Sequence, residues 1–336
     1  MNPFQITRTL PMDATDAALR ADVLQGLTGT PKTLPPKWFY DAYGSELFEM
    51  IVALPGYYIG RLERELLAAH ACEIAAVCGA RTLVELGSGS SEKTRHLINA
   101  LPGLRTYLPV DVSESALRQA GEALAAERRD LHVHALIADF TTAFTLPPTP
   151  GPRLVAFLGS TIGNLLPRER GVFLAAVRAL LAPGDALLLG TDLVKDPRRL
   201  VAAYDDDTTG LFNRNVLSVI NRALGADFDL DAFEHVALWD DAADHEWIEM
   251  RLRSRRQQTV KIPALDLAVD FAAGEDLRTE ISAKFRPDRL TGELAGAGLE
   301  VERFFTSPDQ AYALTLAVPK DHATGPSTVR TTAGVS

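Results

Sequence analysis

Residues Val84–Lys93 read VELGSGSSEK: a glutamate closing an apolar run, a turn of small residues, then a segment with helical spacing. Gly87 and Gly89 let the backbone approach a ligand closely, and the unpaired N–H groups of a following helix would face it. A dinucleotide fingerprint, G-x-G-x-x-G, needs a third glycine where this chain has Glu92. An acid where a pyrophosphate would lie argues against a dinucleotide and for a ligand with an aminoacyl tail and no phosphate. Asp111 closes the next apolar run, where a carboxylate can accept from both ribose hydroxyls. Asp139-Phe140 closes the third, an acid for an adenine amine and an aromatic for its ring. Each acid alone also reads as a strand-end cap or a surface charge, and the glycine loop alone as a plain tight turn. Three strand ends in register carry the adenosyl reading.

Such a ligand is S-adenosylmethionine (SAM), and Glu85-x-Gly87-x-Gly89 fits the E/D-x-G-x-G loop of enzymes that use it. The fourth strand runs into FLGSTIGNLL, without the Asn-Pro-Pro-Tyr of enzymes that methylate nucleobase amines. Asn164 there reads equally as an amide for a polar substrate group or as a helix N-cap before Pro167. Other features carry less. DFDLD (227–231) opens like a calcium loop but has Ala232 at the obligatory glycine and Leu238 at the closing glutamate. His132 and His134 share a strand face without an evident third ligand, and Asp205–Asp207 reads as a solvated loop. Serine-hydrolase elbows, phosphate loops and zinc spacings are missing from the sequence.

The elements that would hold these residues follow from hydrophobic period. TLVEL, RTYLPVDV, LHVHALIAD, RLVAFLGS and GDALLLGTDL are apolar strands separated by amphipathic helices, which predicts an α/β fold with a parallel sheet. Helices are predicted over Asp13–Leu27, Tyr40–Leu54 and Arg61–Cys78 before it. After Asp196 come a helix over 207–226, an antiparallel group (HVALW, EWIEMRLRSR, QTVKI, LDLAVDFA), and GEDLRTEISAKF and PDRLTGELAGAG, both read as helical. LEVERFFT and QAYALTLAV form a hairpin returning to the first sheet, and the tail is expected to be disordered. The 336 residues suit about two domains. Their 34 basic and 44 acidic side chains give a net charge of −10, which disfavours nucleic acid and anionic membranes as partners. Only two cysteines, Cys72 and Cys78, an N-terminus without a secretory pattern and the lack of a membrane-length apolar run lead to the expectation of a cytoplasmic protein.

Together KWFYDAYGSELFEMI, PGYYIGRLERELL, VELGSGSSEKT, FLGSTIGN, LLGTDLVKD, AAYDDDTTGLFNRNVL and TEISAKFRP closely resemble the actinobacterial L-histidine Nα-methyltransferases of ergothioneine biosynthesis. The resemblance runs to about Val318 and implies a Rossmann-like class I SAM-dependent methyltransferase sheet joined to a second α+β substrate-binding domain. It divides the chain into 61–196 with 286–318 for SAM, 1–60 with 197–285 for substrate, and a tail over 319–336. It implies three methyl transfers to L-histidine, giving hercynine, by a monomer without a metal. Carried over by position, the SAM site is Gly87, Lys93, Asp111, Asp139 and Phe140, with Tyr40 near the amine. The histidine site is Tyr57, Asn164, Tyr204 and the run Glu280-Ile281-Ser282, and Tyr40 and Asn164 are the catalytic pair. One departure stands out: the family has Pro-Thr after the paired tyrosines, and Ile59-Gly60 here implies a looser loop. The alternatives are N-methylation of another amino acid, which Glu280 and Ser282 oppose, and a non-catalytic SAM sensor, which would lack the substrate residues. A dehydrogenase is a distant third.

Overall fold

A computed structural model describes residues 4–9, 14–141, 145–242 and 245–320. Its strands are β1 (Phe4–Arg8), β2 (Lys32–Thr33), β3 (Thr82–Leu86), β4 (Thr106–Asp111), β5 (His132–Ile137), β6 (Arg153–Phe157) and β7 (Ala186–Asp192). They continue with β8 (Phe233–Asp240), β9 (Trp247–Ser254), β10 (Gln258–Ile262), β11 (Leu267–Phe271), β12 (Asp276–Ala283), β13 (Leu299–Thr306) and β14 (Tyr312–Pro319). The helices are α1 (Ala14–Thr28), α2 (Ala42–Ala53), α3 (Ile59–Cys78), α4 (Arg95–Ala100) and α5 (Glu114–Glu127). Then follow α6 (Pro167–Leu180), α7 (Pro197–Ala202), α8 (Asp207–Leu224) and α9 (Pro287–Gly296).

The large sheet has the order β1-β5-β4-β3-β6-β7-β14-β13, with β14 alone reversed against its neighbours. Strands β3, β6 and β7 are buried along nearly their whole length because helices cover both faces, so apolar residues fill both sides of each strand. Successive strands run outward from β3 in both directions, which opens a crevice at their carboxyl ends between β3 and β6. The smaller sheet, β2-β12-β9-β8, and the β10-β11 hairpin carry the second group of elements.

Four expectations are corrected. Residues 276–283 form strand β12 and not a helix, pairing antiparallel with β9 and parallel with β2. Partners far away in sequence decide this segment, and its own residues carry no strong β preference. Phe4–Arg8, placed by sequence in the second domain, forms the edge strand beside β5. Phe4 fits there because Gly121 in α5 has no side chain: a Cβ at 121 would lie 2.3 Å from the Phe4 ring. Asp206, read as part of a solvated run, caps α8, accepting from Thr208 N at 2.9 Å and Thr209 N at 3.0 Å. Ile59 is buried and opens α3 with Gly60, so the departure after the tyrosines is absorbed into a helix. The expected tail lies outside the described residues beyond Lys320, and Pro319 still belongs to β14.

The two sheets meet where the turn over Thr161–Asn164 packs on the end of β12. A Cβ at Gly163 would stand 2.8 Å from the carbonyl oxygen of Ala283 and 3.1 Å from its nitrogen, and neither backbone atom can give way. Gly163→Ala is therefore expected to destabilise the protein by about 1–3 kcal/mol, the usual consequence of overpacking, read as a lower melting temperature. An unchanged melting temperature would contradict this close approach.

Candidate active site

The loop after β3 bends through Gly87 (φ +67°) and Gly89 (φ +50°), where a side chain would strain the backbone. Gly87 N donates to Val110 O at 2.8 Å, and Gly89 N donates to Asp111 Oδ2 at 3.1 Å, which tie the loop to the end of β4. The ring of Phe140 stands 3.4 Å from where a Gly87 Cβ would be, so an aromatic face borders the loop at the end of β5. Asp139 accepts from Thr141 N at 2.9 Å. Asp111, Asp139 and Phe140 thus lie at neighbouring strand ends around one glycine turn, an arrangement that fits an adenosyl group.

Glu85 lies beneath this loop. It is wholly buried, accepts from Thr94 Oγ1 at 2.5 Å and from the Tyr107 hydroxyl, and Tyr107 in turn is 2.8 Å from Ser91 Oγ. Burial raises its carboxyl to about 7, against the pull of those two hydroxyls. Lys93 is ion-paired at 2.5 Å with Glu63, which also accepts from Gly159 N at 2.7 Å and from the Tyr312 hydroxyl at 2.6 Å. The sequence reading missed Glu63. The signal was present: Glu63 falls within the buried stripe Ile59, Leu62, Leu66, Leu67 of α3.

The second half of the site is aromatic. Tyr40 is held by its neighbours: Asn215 Nδ2 donates to Phe39 O at 3.1 Å and to Asp41 Oδ1 at 2.7 Å, and Asp41 caps α2 through Gly44 N. Its ring meets Phe48 and Phe212 edge-on at 5.4 and 5.3 Å and stays 39% exposed. Tyr57 stands between Phe48, at 6.3 Å, and Tyr204, at 6.1 Å. Desolvation of the hydroxyls raises the phenols of Tyr40, Tyr57 and Tyr204 well above their ordinary value, and neighbouring groups add to it: Glu280 at Tyr40, Tyr204 and then Glu280 at Tyr57, and Asp192 and then Glu280 at Tyr204. Asp111 also acts on Tyr40, so this tyrosine is within electrostatic reach of both halves.

On β12, Glu280 and Ser282 share a face because strand side chains alternate. Ile281 lies on the opposite face, buried with Leu193, Trp247 and Phe285, so only its backbone could face a substrate. Burial raises Glu280 to about 7, opposed only by Lys284. Asn164 ends the turn packed on β12, and it is not the cap of α6: that position is Leu166, whose N–H donates to Glu169 Oε2 at 2.8 Å.

Three further residues that the sequence reading did not single out join these pieces. Asp192, fully buried at the end of β7, accepts from the Tyr58 hydroxyl at 2.9 Å and pairs with Lys195 at 2.5 Å and Lys284 at 3.0 Å. Burial lowers Lys195 to about 8 despite Asp192. His134, by contrast, is engaged with Thr7 Oγ1 at 2.9 Å.

The topology, the glycine loop and the acids at successive strand ends define a class I SAM-dependent methyltransferase. A model of the histidine-specific, SAM-dependent methyltransferases matches residues 19–319. The chain is 54% identical over 320 residues to the histidine N-alpha-methyltransferase of Mycolicibacterium smegmatis, covering 94% of this chain and 99% of that one. It is 53% identical over 317 residues to the histidine N-alpha-methyltransferase of Mycobacterium tuberculosis, covering 93% and 98%. A more distant relative, ergothioneine biosynthesis protein 1 of Neurospora crassa, is 29% identical over 201 residues, 57% of this chain and 23% of that one. The chain belongs to the family of histidine-specific, SAM-dependent methyltransferases.

Glu85→Ala would leave the Thr94 hydroxyl buried without its acceptor, at a cost of about 1–3 kcal/mol, while Tyr107 could still donate to Ser91 Oγ. The expected result is a lower melting temperature and a smaller upward shift on adding S-adenosylhomocysteine. A variant with the wild-type shift would mean that Glu85 does not support the loop.

Proposed function

We propose that this protein trimethylates the α-amine of L-histidine, giving hercynine as the first step of ergothioneine biosynthesis. The observation that carries this reading is Glu280: a carboxylate raised by burial, eased only by Lys284, on one strand face with a hydroxyl two residues away. An imidazole offers an N–H to the first and a ring nitrogen to the second. The names of the bacterial relatives and of the fungal ergothioneine protein support the same substrate and product line.

In this reading Gly87, Lys93, Asp111, Asp139 and Phe140 hold SAM, and Tyr57, Asn164 and Tyr204 with Glu280 and Ser282 hold histidine. The substrate part comprises the smaller sheet and α2, the SAM part the larger sheet. One chain supplies every residue, so a monomer suffices. The unpaired thiols of Cys72 and Cys78 suit a reducing cytoplasm. Among the described residues no helix is long and apolar enough to cross a membrane.

SAM, when bound, supplies a methyl already activated on a sulfonium. The residues of the chain then have to align the nitrogen in line with that methyl, and such placement can supply roughly 7–11 kcal/mol. Tyr40, Tyr57 and Tyr204 keep their protons at neutral pH because their phenols are raised, so none of them acts as a base. A neutral amide and neutral phenols beside the amine do not stabilise its ammonium form, whereas a carboxylate there would. They also leave room for a nitrogen that ends without any N–H.

Glu280→Ala is expected to weaken histidine by about ten- to a hundredfold and leave S-adenosylhomocysteine unaffected, since a charge-assisted hydrogen bond is worth about 1.5–3 kcal/mol. Asp111→Ala should do the reverse, and calorimetry of each ligand distinguishes the two. Unchanged histidine affinity in the Glu280 variant would remove that residue from the site.

Because the carboxyl of Glu280 is raised to about 7, it becomes protonated as the pH falls from 8 to 6 and no longer offers the ring N–H a charged acceptor. Histidine affinity should therefore decline over that window. A free amine is also required, so turnover should rise through about pH 8, where α-amino groups titrate. Dimethylhistidine should be accepted at least as well as histidine. Refusal of dimethylhistidine, or a rate flat from pH 6 to 9, would contradict the neutral setting of the amine.

A further inference from the structure

Resting on the reading that Ser282 faces the histidine ring, we infer that Lys284 is a positioning residue. It occupies every other acceptor around the Ser282 and Tyr204 hydroxyls, leaves their one spare hydrogen no partner but the ligand, and so selects a ring with an acceptor nitrogen. A lysine ammonium has three hydrogens and no lone pair. The Lys284 side chain is fully buried, and three acceptors surround it: Asp192 Oδ2 at 3.0 Å, Ser282 Oγ at 2.8 Å and the Tyr204 hydroxyl at 3.0 Å. All three hydrogens are used. Ser282 and Tyr204 each accept one, and their oxygens lie 2.9 Å apart, so one of the two hydroxyls donates to the other. Of their two hydrogens, one remains for a ligand.

Glu280 decides where it goes. As an acceptor, it takes the N–H of a neutral imidazole, and the remaining ring nitrogen then needs a donor. Tyr204 donating to Ser282, and Ser282 donating to the ring, satisfies every group. Ser282 Oγ then has both lone pairs filled, by Lys284 and Tyr204, and can only donate.

Tyr204 is held for this role from behind. Its carbonyl oxygen is 2.8 Å from His235 Nε2, and His235 Nδ1 is 2.8 Å from Asn213 Nδ2. Asn213 Oδ1 accepts from Thr279 Oγ1 at 2.6 Å, on β12 itself. Without the Lys284 ammonium, Asp192 Oδ2 would be free to accept the Tyr204 hydrogen, and Tyr204 could then accept that of Ser282. A ring lacking an acceptor would then leave no orphaned donor.

The test compares histidine with its pyrrole analogues, in which one ring N–H is kept and the other nitrogen is C–H. Affinities are measured by calorimetry at pH 8.5 with saturating S-adenosylhomocysteine, using the better-binding pyrrole isomer. The wild type should prefer histidine by about tenfold or more, the effect of an unpaired buried donor. Ser282→Ala and Lys284→Met should each reduce that preference to less than about threefold, with S-adenosylhomocysteine affinity retained. A general loosening would weaken both rings together and leave the preference intact. If Lys284→Met does not bind S-adenosylhomocysteine, Lys284→Gln replaces it: its carbonyl gives the Ser282 hydrogen an acceptor, so the preference must again fall. A retained preference in the Lys284 variant, with Ser282→Ala losing it, overturns the role of Lys284 alone. Retention in Ser282→Ala as well overturns the ring reading beneath it. Failure of both Lys284 variants to bind S-adenosylhomocysteine assigns the lysine to folding and overturns the proposal.

Discussion

A carboxylate with no access to water must be surrounded by donors, and Asp192 meets that demand by drawing three elements to one point. Tyr58 comes from the entry to α3, Lys195 from the loop after β7, and Lys284 from the residue just past β12. Its own N–H donates to Ser160 Oγ at 2.9 Å, which adds the turn after β6. Removing one partner from a buried ion pair typically costs about 3–5 kcal/mol, so this convergence is strongly held. It fixes the smaller sheet over the carboxyl edge of the larger one, where the glycine loop lies.

From that junction the site divides by charge. Lys284 faces Asp192 on one side and the Ser282 and Tyr204 hydroxyls on the other, and Glu280 stands one alternation further along the strand. In the proposed binding mode the ionisable groups would therefore lie toward the ring of the substrate. Toward the amine, in the same mode, would stand phenols that keep their protons and a side-chain amide. An amine that must be deprotonated three times, and end as a cation without hydrogens, is suited to such neighbours. A ring recognised through one N–H and one lone pair is suited to the former.

The strand ends and glycine loop of the candidate cofactor half were legible in the sequence because they are local. A strand, a glycine turn and a helix follow one another, and each acid closes an apolar run, so period and spacing identify them. The parallel sheet was legible for the same reason, and the helix over 207–224 through its amphipathic spacing. What escaped depends on distant partners. Strand β12 is a strand because β9 and β2 flank it, and Phe4–Arg8 because β5 does. Glu280 and Ser282 were named only through the family resemblance, since a spacing of two means one face in a strand and nothing in a helix. Asp192, Lys195 and Lys284 are individually ordinary residues whose partners lie up to 134 and 137 positions away. Glu63 could have been found, as a charge within an apolar stripe.

In the proposed site, Asp192 holds the histidine-reading strand in place without itself belonging to the cofactor site. Asp192→Asn, which keeps the size of the side chain and removes its charge, addresses this in one calorimetric experiment. S-adenosylhomocysteine is titrated first and histidine second, into the same sample. Cofactor-product affinity should stay within about threefold of wild type and histidine affinity should fall by about tenfold or more, as expected for a lost charge-assisted hydrogen bond. Equal losses for both ligands, or an unchanged histidine affinity, would contradict it.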